Sequence, residues 1–232
     1  MNASQNSLFS RTIQDMTTIR LSDVGMEAAV SDAVAVLRAG GVVLYPTDTL
    51  YGLGADGLSN EAVDKVYAIK GRAGGKPTHA ILPDLAMAEE YAEVTDDARL
   101  LAERLPRGQV TLIVKKKAGF DAGVMKKIPT FGFRIPDNGF CVKLVREFGR
   151  PVTATSANKS DLSPERSVEK ILAQLGSAVR GIDLIIDAGE LPERLPSTVV
   201  DMSGAEPAVI REGAVPAADI WNALDIEADI AG

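Results

Sequence analysis

Apolar residues at Val30, Ala33, Val34 and Leu37 recur at helical spacing, and Gly40-Gly41 ends the run. That pattern predicts a helix with a glycine stop. Val42-Val43-Leu44-Tyr45 is apolar at every position and breaks at Pro46, which reads as an inner strand of a sheet covered on both faces. The polar, glycine-rich stretch Thr47 to Gly57 then reads as a loop. An amphipathic run after it predicts a helix capped by Ser59 or Asn60 that buries Val63, Val66 and Tyr67. It ends on Lys70-Gly71-Arg72-Ala73-Gly74-Gly75-Lys76-Pro77, three cations on a flexible loop.

Further on, Ala80-Ile81-Leu82 reads as a short strand closed by Pro83, with Asp84 and Thr95 capping two helices that end near Tyr91 and Leu105. Val110 to Val114 and Gly132 to Pro136 read as strands. Asp137 to Phe148 reads as a helix with Phe140, Leu144, Val145 and Phe148 on one face. Pro151 to Thr155 is a strand candidate leading into Ser156-Ala157-Asn158. Ser163-Pro164 has the cap-then-proline order that opens a helix, and Gly176 closes it. Asp183 to Ile186, Thr198 to Asp201 and Ala208 to Arg211 are further strand candidates, and Pro216 starts a last short helix through Trp221. Strands alternate with helices and no linker interrupts them. The expectation is an α/β fold with a single domain over residues 18–222 and an open, twisted, mixed parallel/antiparallel sheet. Residues 1–17 and 223–232 are expected to be loosely ordered tails.

Composition narrows the partners. The chain has 32 acidic against 25 basic residues, a formal net charge of −7, so no global attraction to nucleic acid or anionic membrane is expected. No apolar window reaches the length of a membrane span, and the Ser/Asn/Thr-rich N-terminus lacks the apolar core of a secretory signal. The one cysteine, Cys141, falls in an amphipathic run, so it is expected to be a buried thiol in a reducing, cytoplasmic setting. Lys115, Lys116, Lys117, Lys126 and Lys127 form a basic region without interleaved aromatics. A solvated edge is the simpler reading, with contact to an RNA backbone as the other.

Gly52-x-Gly54-x-x-Gly57 matches the letters of the dinucleotide fingerprint, but five residues separate Pro46 from Gly52 and the helix begins only after Gly57. In the fingerprint the first glycine closes the strand and the last sits in the helix. The P-loop pattern does not occur. The cations carry more weight. Gly71 can cap a helix and one basic residue suits its C-terminus, which leaves Arg72 and Lys76 for an anion. Removing Lys70 or Arg72 is expected to lower turnover without a stability loss. Ser156-Ala157-Asn158 sits at a strand end, where α/β folds place ligands. The single histidine, His79, has neither triad nor zinc spacing around it. No metal site of the protein's own is expected. The chemistry indicated is charge neutralisation and positioning, as in phosphoryl or adenylyl transfer.

Taken together, Tyr45-Pro46-Thr47-Asp48-Thr49-Leu50-Tyr51-Gly52-Leu53-Gly54, Lys70-Gly71-Arg72, Lys76-Pro77, Thr111-Leu112-Ile113, Arg134-Ile135-Pro136, Thr155-Ser156-Ala157-Asn158, Pro196-Ser197-Thr198-Val199-Val200-Asp201 and Ile210-Arg211-Glu212-Gly213 resemble the YrdC/TsaC family of threonylcarbamoyl-adenylate synthases. The resemblance implies a YrdC-like sheet with a concave, cationic cleft. It also implies formation of threonylcarbamoyl-AMP and pyrophosphate from threonine, bicarbonate and ATP, with Mg²⁺ accompanying the triphosphate. The product would feed tRNA N6-threonylcarbamoyladenosine modification through other threonylcarbamoylation proteins. By motif position the catalytic tetrad falls on Lys70, Arg72, Ser156 and Asn158. ATP contacts fall on Arg72, Lys76, Thr111, Ser156, Ser163 and Arg211, and threonine contacts on Thr47, Lys115, Ala154 and Ser197. Three segments depart from the family pattern: Pro106 to Val110, Ile81 where a histidine is common, and the shortened stretch Lys159 to Ser163. YciO-like paralogues share the pattern, so the alternative is an RNA-binding module, for tRNA or double-stranded RNA, without this activity.

Overall fold

The two faces of the Val42–Tyr45 run enter different cores, and this sets the layering of the molecule. Val43 and Tyr45 pack with Val30, Val34, Phe140 and Leu144, whereas Val42 and Leu44 pack with Leu53, Val66, Ile171 and Ile185. Successive residues of a strand face opposite ways, so a strand apolar on both faces must lie between two helical layers. The computed structural model describes residues 17–72 and 77–224. In it this strand is β2 (Val43–Pro46). Helices α1 (Leu21–Arg38) and α5 (Gly139–Phe148) cover one face, and α2 (Asn60–Lys70) and α6 (Val168–Leu175) cover the other. Cys141 is buried there, as expected. The expected tails, apart from Thr17, Ala223 and Leu224, lie outside the described residues.

The α/β architecture with mixed pairing is present, but its strands divide between two sheets. The first has the order β1 (Thr17–Arg20), β10 (Leu184–Asp187), β2, β3 (Tyr51–Gly54) and β9 (Thr155–Ser156). Its β1–β10 and β10–β2 pairs are parallel, and β2–β3 and β3–β9 are antiparallel. The second runs β12 (Ala208–Arg211), β11 (Thr198–Asp201), β6 (Val110–Lys116), β7 (Thr130–Arg134), β4 (Ala80–Ile81) and β8 (Val152–Thr153), with β5 (Ala92–Glu93) paired to the end of β6. One face of this second sheet buries Leu112, Val114, Phe131, Phe133 and Val200 against α3 (Leu85–Tyr91), α4 (Asp96–Arg104) and α7 (Ala217–Ala223). The alternate positions Thr111, Ile113, Thr130, Gly132, Arg134, Val199 and Asp201 form its other face and line a cleft.

The sheets meet where the chain steps from β8 to β9 across Ala154. The buried Thr153 side chain makes the joint: its Oγ1 donates to the Leu53 carbonyl at 2.8 Å and accepts from the Ala55 amide at 2.9 Å. Tyr45 Oη donates to the Thr153 carbonyl at 2.9 Å. The five residues Val152 to Ser156 therefore belong to both sheets.

Several local expectations change. The glycine-rich stretch is not a loop throughout: a turn at Thr47–Leu50 leads into strand β3. Its glycines face an aromatic ring, because a Cβ on Gly54 would stand 2.7 Å from Tyr45 Cε1 and one on Gly52 3.3 Å from it. Helix α6 starts at Val168 rather than at Ser163-Pro164. Its apolar stripe of Val168, Ile171 and Leu175 begins only there, and Pro164, Glu165 and Arg166 instead form part of the cleft wall. Strand β6 runs on to Lys116, and β7 lies two residues earlier than its predicted span. The caps Ser59, Asp84 and Thr95 each accept the expected amide.

If Gly52 and Gly54 serve packing against Tyr45, Gly54→Ala should destabilise the fold by about 1–3 kcal/mol, the usual cost of overpacking. Thermal unfolding checks this, and an unchanged midpoint would return the glycines to a ligand loop.

Candidate active site

A cleft of about 810 Å³ opens between the two sheets, and the seam segment supplies Ala154, Thr155 and Ser156 to it. Five arginines line it, Arg72, Arg134, Arg166, Arg194 and Arg211, together with the carboxylates Glu165, Glu193 and Asp201. Three polar clusters stand around this space.

At one end, the Thr47 hydroxyl organises its own turn. It donates to the Leu50 carbonyl at 2.7 Å and accepts from the amides of Thr49 and Leu50. Beneath it lies a buried ion pair, Arg134 Nη1 to Asp48 Oδ2 at 2.8 Å, with both side chains about 95% covered. The same nitrogen donates to the Gly108 carbonyl at 2.9 Å. Gly108 has φ +77°, and a Cβ there would meet Asp48 Oδ2 at 2.0 Å, so the Pro106 to Val110 departure supplies a backbone floor under the Thr47 turn. Burial pushes the Asp48 carboxyl above its ordinary range, against the opposing pull of Arg134. Removing either partner leaves a buried charge and is expected to cost roughly 3–5 kcal/mol.

On the wall formed by the second sheet, Thr111 Oγ1 and Ser197 Oγ are 2.8 Å apart, and Arg211 donates to the Ser197 carbonyl at 2.7 Å. Thr198, next along, is buried and accepts from the amides of Gly213 and Val215. This fixes the Arg211 strand end against the start of β11.

The third cluster gathers the expected tetrad, in an arrangement the sequence did not indicate. Lys70 is buried at the end of α2 and is not among the residues lining the cleft. Its ammonium donates to the carbonyls of Ser156 at 2.5 Å and Asn158 at 2.9 Å, and to Asn158 Oδ1 at 3.0 Å. Ser156 Oγ donates to the same Oδ1 at 2.5 Å, and Asn158 Nδ2 donates to the Lys159 and Leu162 carbonyls. The Ser160 amide donates back to the Lys70 carbonyl. Burial, helped by Arg72, lowers Lys70 to about 8. The cation is thus spent on holding the Ser-Ala-Asn loop. Arg72 follows the left-handed cap Gly71 and lines the cleft, donating to the Pro77 carbonyl at 3.2 Å and lying over the Tyr67 ring.

Of the other expected contacts, Thr47, Thr111, Ala154, Ser156, Ser197 and Arg211 line the cleft. Lys76 lies outside the described residues. Ser163 is exposed beside the cleft and its neighbour Pro164 takes the lining position. Lys115 is exposed near the end of β6, opposite Glu93 of β5, outside the lining. Its neighbours are engaged locally: Lys116 pairs with Asp121 at 2.8 Å, and Lys117 donates to the Glu89 carbonyl.

Sequence reasoning gave no role to His79, Arg166 or Arg194, all of which line the cleft. His79 is half-buried; burial, with Arg134, Arg211 and Arg72 close by, lowers it to about 3. Its ring is therefore a neutral group among cations. The period-two alternation along β6, β7 and β11 was the available signal for Thr130, Gly132, Arg134 and Asp201.

Comparison with known proteins places this geometry. Residues 35–213 match the family model Sua5_yciO_yrdC, described as "Telomere recombination". A Bos taurus protein named threonylcarbamoyl-AMP synthase is 40% identical over 185 residues, covering 77% of this chain and 65% of that protein. A Bacillus subtilis protein of the same name is 31% identical over 188 residues, 80% of this chain and 54% of its own. The chain thus spans just under two thirds of the bovine relative's length. Among solved structures, P. abyssi Sua5 complexed with L-threonine superposes with a TM-score of 0.80 at 29% identity, covering 90% of this chain and 60% of that one. E. coli YciO superposes with a TM-score of 0.71 at 29% identity over 87% and 96% of the two chains. With two thirds of its length or more inside the family model and the fold shared, the chain belongs to the Sua5/YciO/YrdC family.

Proposed function

We propose that this chain is a threonylcarbamoyl-AMP synthase, and the observation that carries the reading is the cleft between the sheets with a hydroxyl-lined end at Thr47 and Arg72, Arg166 and Arg211 along its other walls. The names of its relatives and the threonine complex of P. abyssi Sua5 support it. Threonine and bicarbonate condense to a carbamate with loss of water. A carbamate oxygen then forms a bond to the α-phosphorus of ATP, the bond to the bridging oxygen breaks, and pyrophosphate leaves. That displacement needs charge neutralisation and alignment more than a base. Arg72 and Arg211 of the cleft lining would meet the triphosphate, Thr111 and Ser156 would orient it, and Thr47, Ala154 and Ser197 would seat the amino acid. Lys70 and Asn158 act by holding Ser156 in place. Mg²⁺ would arrive bound to the triphosphate and share its charge; among the described residues no cluster of three His, Cys, Asp or Glu gathers to hold a metal. Lys76 and Ser163 belong to the reading as ATP contacts, and Lys115, opposite Thr130 at the end of β6 away from the Arg134–Asp48 pair, as a further threonine contact. The product would pass to proteins that modify tRNA in the cytoplasm. No described helix is long and apolar enough to cross a membrane.

The direct test is pyrophosphate release from ATP. Release should require both threonine and bicarbonate; release indifferent to threonine sinks the assignment. Arg72→Ala should lower kcat/KM for ATP by roughly 10²-fold or more with little change in melting temperature, the scale of one lost transition-state donor. Lys70→Ala behaves differently from the sequence expectation. It takes the donor from the buried Asn158 carbonyl, at about 1–3 kcal/mol, while Asn158 Oδ1 keeps Ser156 Oγ and the Ser156 carbonyl keeps the Asn158 amide, so activity and thermal stability should fall together. A stable but inactive variant would put Lys70 on the substrate instead.

His79 gives a pH test. Its folded pKa lies below the ordinary 6.5, so between that value and about 3 the unfolded chain binds more protons and stability falls as pH falls. His79→Gln should flatten that acid limb in chemical unfolding measured across pH. The rate profile of the wild type should show no histidine step near neutrality, and a step removed by His79→Gln would make the imidazole a base.

A further inference from the structure

The segment Gly189 to Pro196 runs from β10 of the first sheet to the start of β11 in the second, and Glu193, Arg194 and Pro196 of it line the cleft. Its first residue is pinned: Tyr51 Oη donates to the Gly189 carbonyl at 2.8 Å and accepts from the Ala188 amide at 2.9 Å. Leu191 is held by its amide bond to the Arg166 carbonyl, and Arg166 pairs with Glu190 at 3.0 Å. Beyond Leu191 the hold weakens. Pro192, Glu193, Arg194 and Leu195 are all exposed, Leu195 at 64%. Between the two prolines, among the described residues, the strap is fastened to the opposite wall by one hydrogen bond, Arg194 Nη1 to the Asp48 carbonyl at 2.7 Å.

That acceptor is neutral and sits in the Thr47 turn. The other cleft arginines are differently engaged: Arg134 is consumed by Asp48, Arg166 by Glu190, Arg211 faces the Thr111–Ser197 wall, and Arg72 follows α2. Among the described residues Arg194 is the arginine beside Thr47 that hydrogen-bonds no carboxylate, although the Asp48 carboxylate is close enough to feel its charge. A guanidinium bonds a carboxylate more strongly than a neutral carbonyl, and can do so bidentately. We propose that Arg194 exchanges the Asp48 carbonyl for the α-carboxylate of the amino-acid substrate, drawing the strap over the Thr47 end of the cleft. Arg194 then determines that the substrate is an amino acid rather than an amine of the same side chain. The inference rests on the synthase reading, which fixes threonine as the occupant of that end.

The experiment compares threonine with threoninamide, which lacks the carboxylate charge, as ligands of the wild type, Arg194→Gln and Arg194→Lys. Binding is followed by calorimetry without ATP, and KM values are taken from pyrophosphate release. Arg194→Gln should weaken threonine by roughly tenfold or more, the scale of one charge-assisted hydrogen bond. Threoninamide binding, KM for ATP and the unliganded melting temperature should not move, and Arg194→Lys should recover part of the loss. Equal losses for both ligands, no loss, or a raised KM for ATP with threonine unaffected would each overturn the proposal. A wild type that binds no threonine overturns the synthase reading and the proposal with it; a variant that matches a threonine-binding wild type overturns the proposal alone.

Discussion

Everything that faces the cleft depends on five residues, Val152 to Ser156, being shared between two sheets. Their backbone pairs with both, β8 with β4 and β9 with β3, and the buried Thr153 hydroxyl, bonded to Leu53 and Ala55, ties the second-sheet strand to the first. A hydroxyl buried without partners costs several kcal/mol in an apolar setting, so the joint has little freedom to open. Tyr45 adds a third bond from the neighbouring strand, and Gly52 and Gly54 exist as glycines so that its ring can lie against β3. The cleft is the wedge left where the two sheets diverge from this joint, and Ser156 is its last residue.

Electrostatics then distributes the cations between structure and ligand. Lys70 and Arg134 lie against the cleft walls but are spent internally, one on the Ser-Ala-Asn loop, the other on Asp48 and Gly108. Each is buried and bonded to several acceptors, which is the condition under which a protein tolerates an interior charge, though Arg134 Nε itself has no hydrogen-bond partner among the described residues. Arg72, Arg194 and Arg211 keep their guanidinium groups at the cleft surface on bonds to neutral carbonyls. Such bonds are weaker than those an anion offers. The same residue types thus divide by burial into scaffold and candidate ligand groups. His79, neutral among them, adds no further charge.

This division explains what could be read from the chain. Local signals were sufficient for β2, for the caps Ser59, Asp84 and Thr95, and for the left-handed stop at Gly71, because each depends on neighbours in sequence. The motif order was enough for the family. Lys70 was misread as a cleft cation because its partners lie 86 and 88 residues away, and nothing beside it in sequence announces burial. Strand β3 was hidden by its glycines, whose reason is the Tyr45 ring across the ladder. The Ser163-Pro164 pair carried a sound helix-start signal that lost to the apolar stripe beginning at Val168 and to the cleft wall.

The central claim is that one cleft between the sheets holds the amino acid at the Thr47 end and the nucleotide across the arginine wall at the same time. The most direct measurement is the shift in thermal unfolding with threonine, with a non-hydrolysable ATP analogue, and with both. Ligands that share one closed site stabilise the folded state together by more than the sum of their separate effects. The account predicts that excess, and strictly additive shifts, or a threonine effect absent in the presence of the nucleotide, would contradict it.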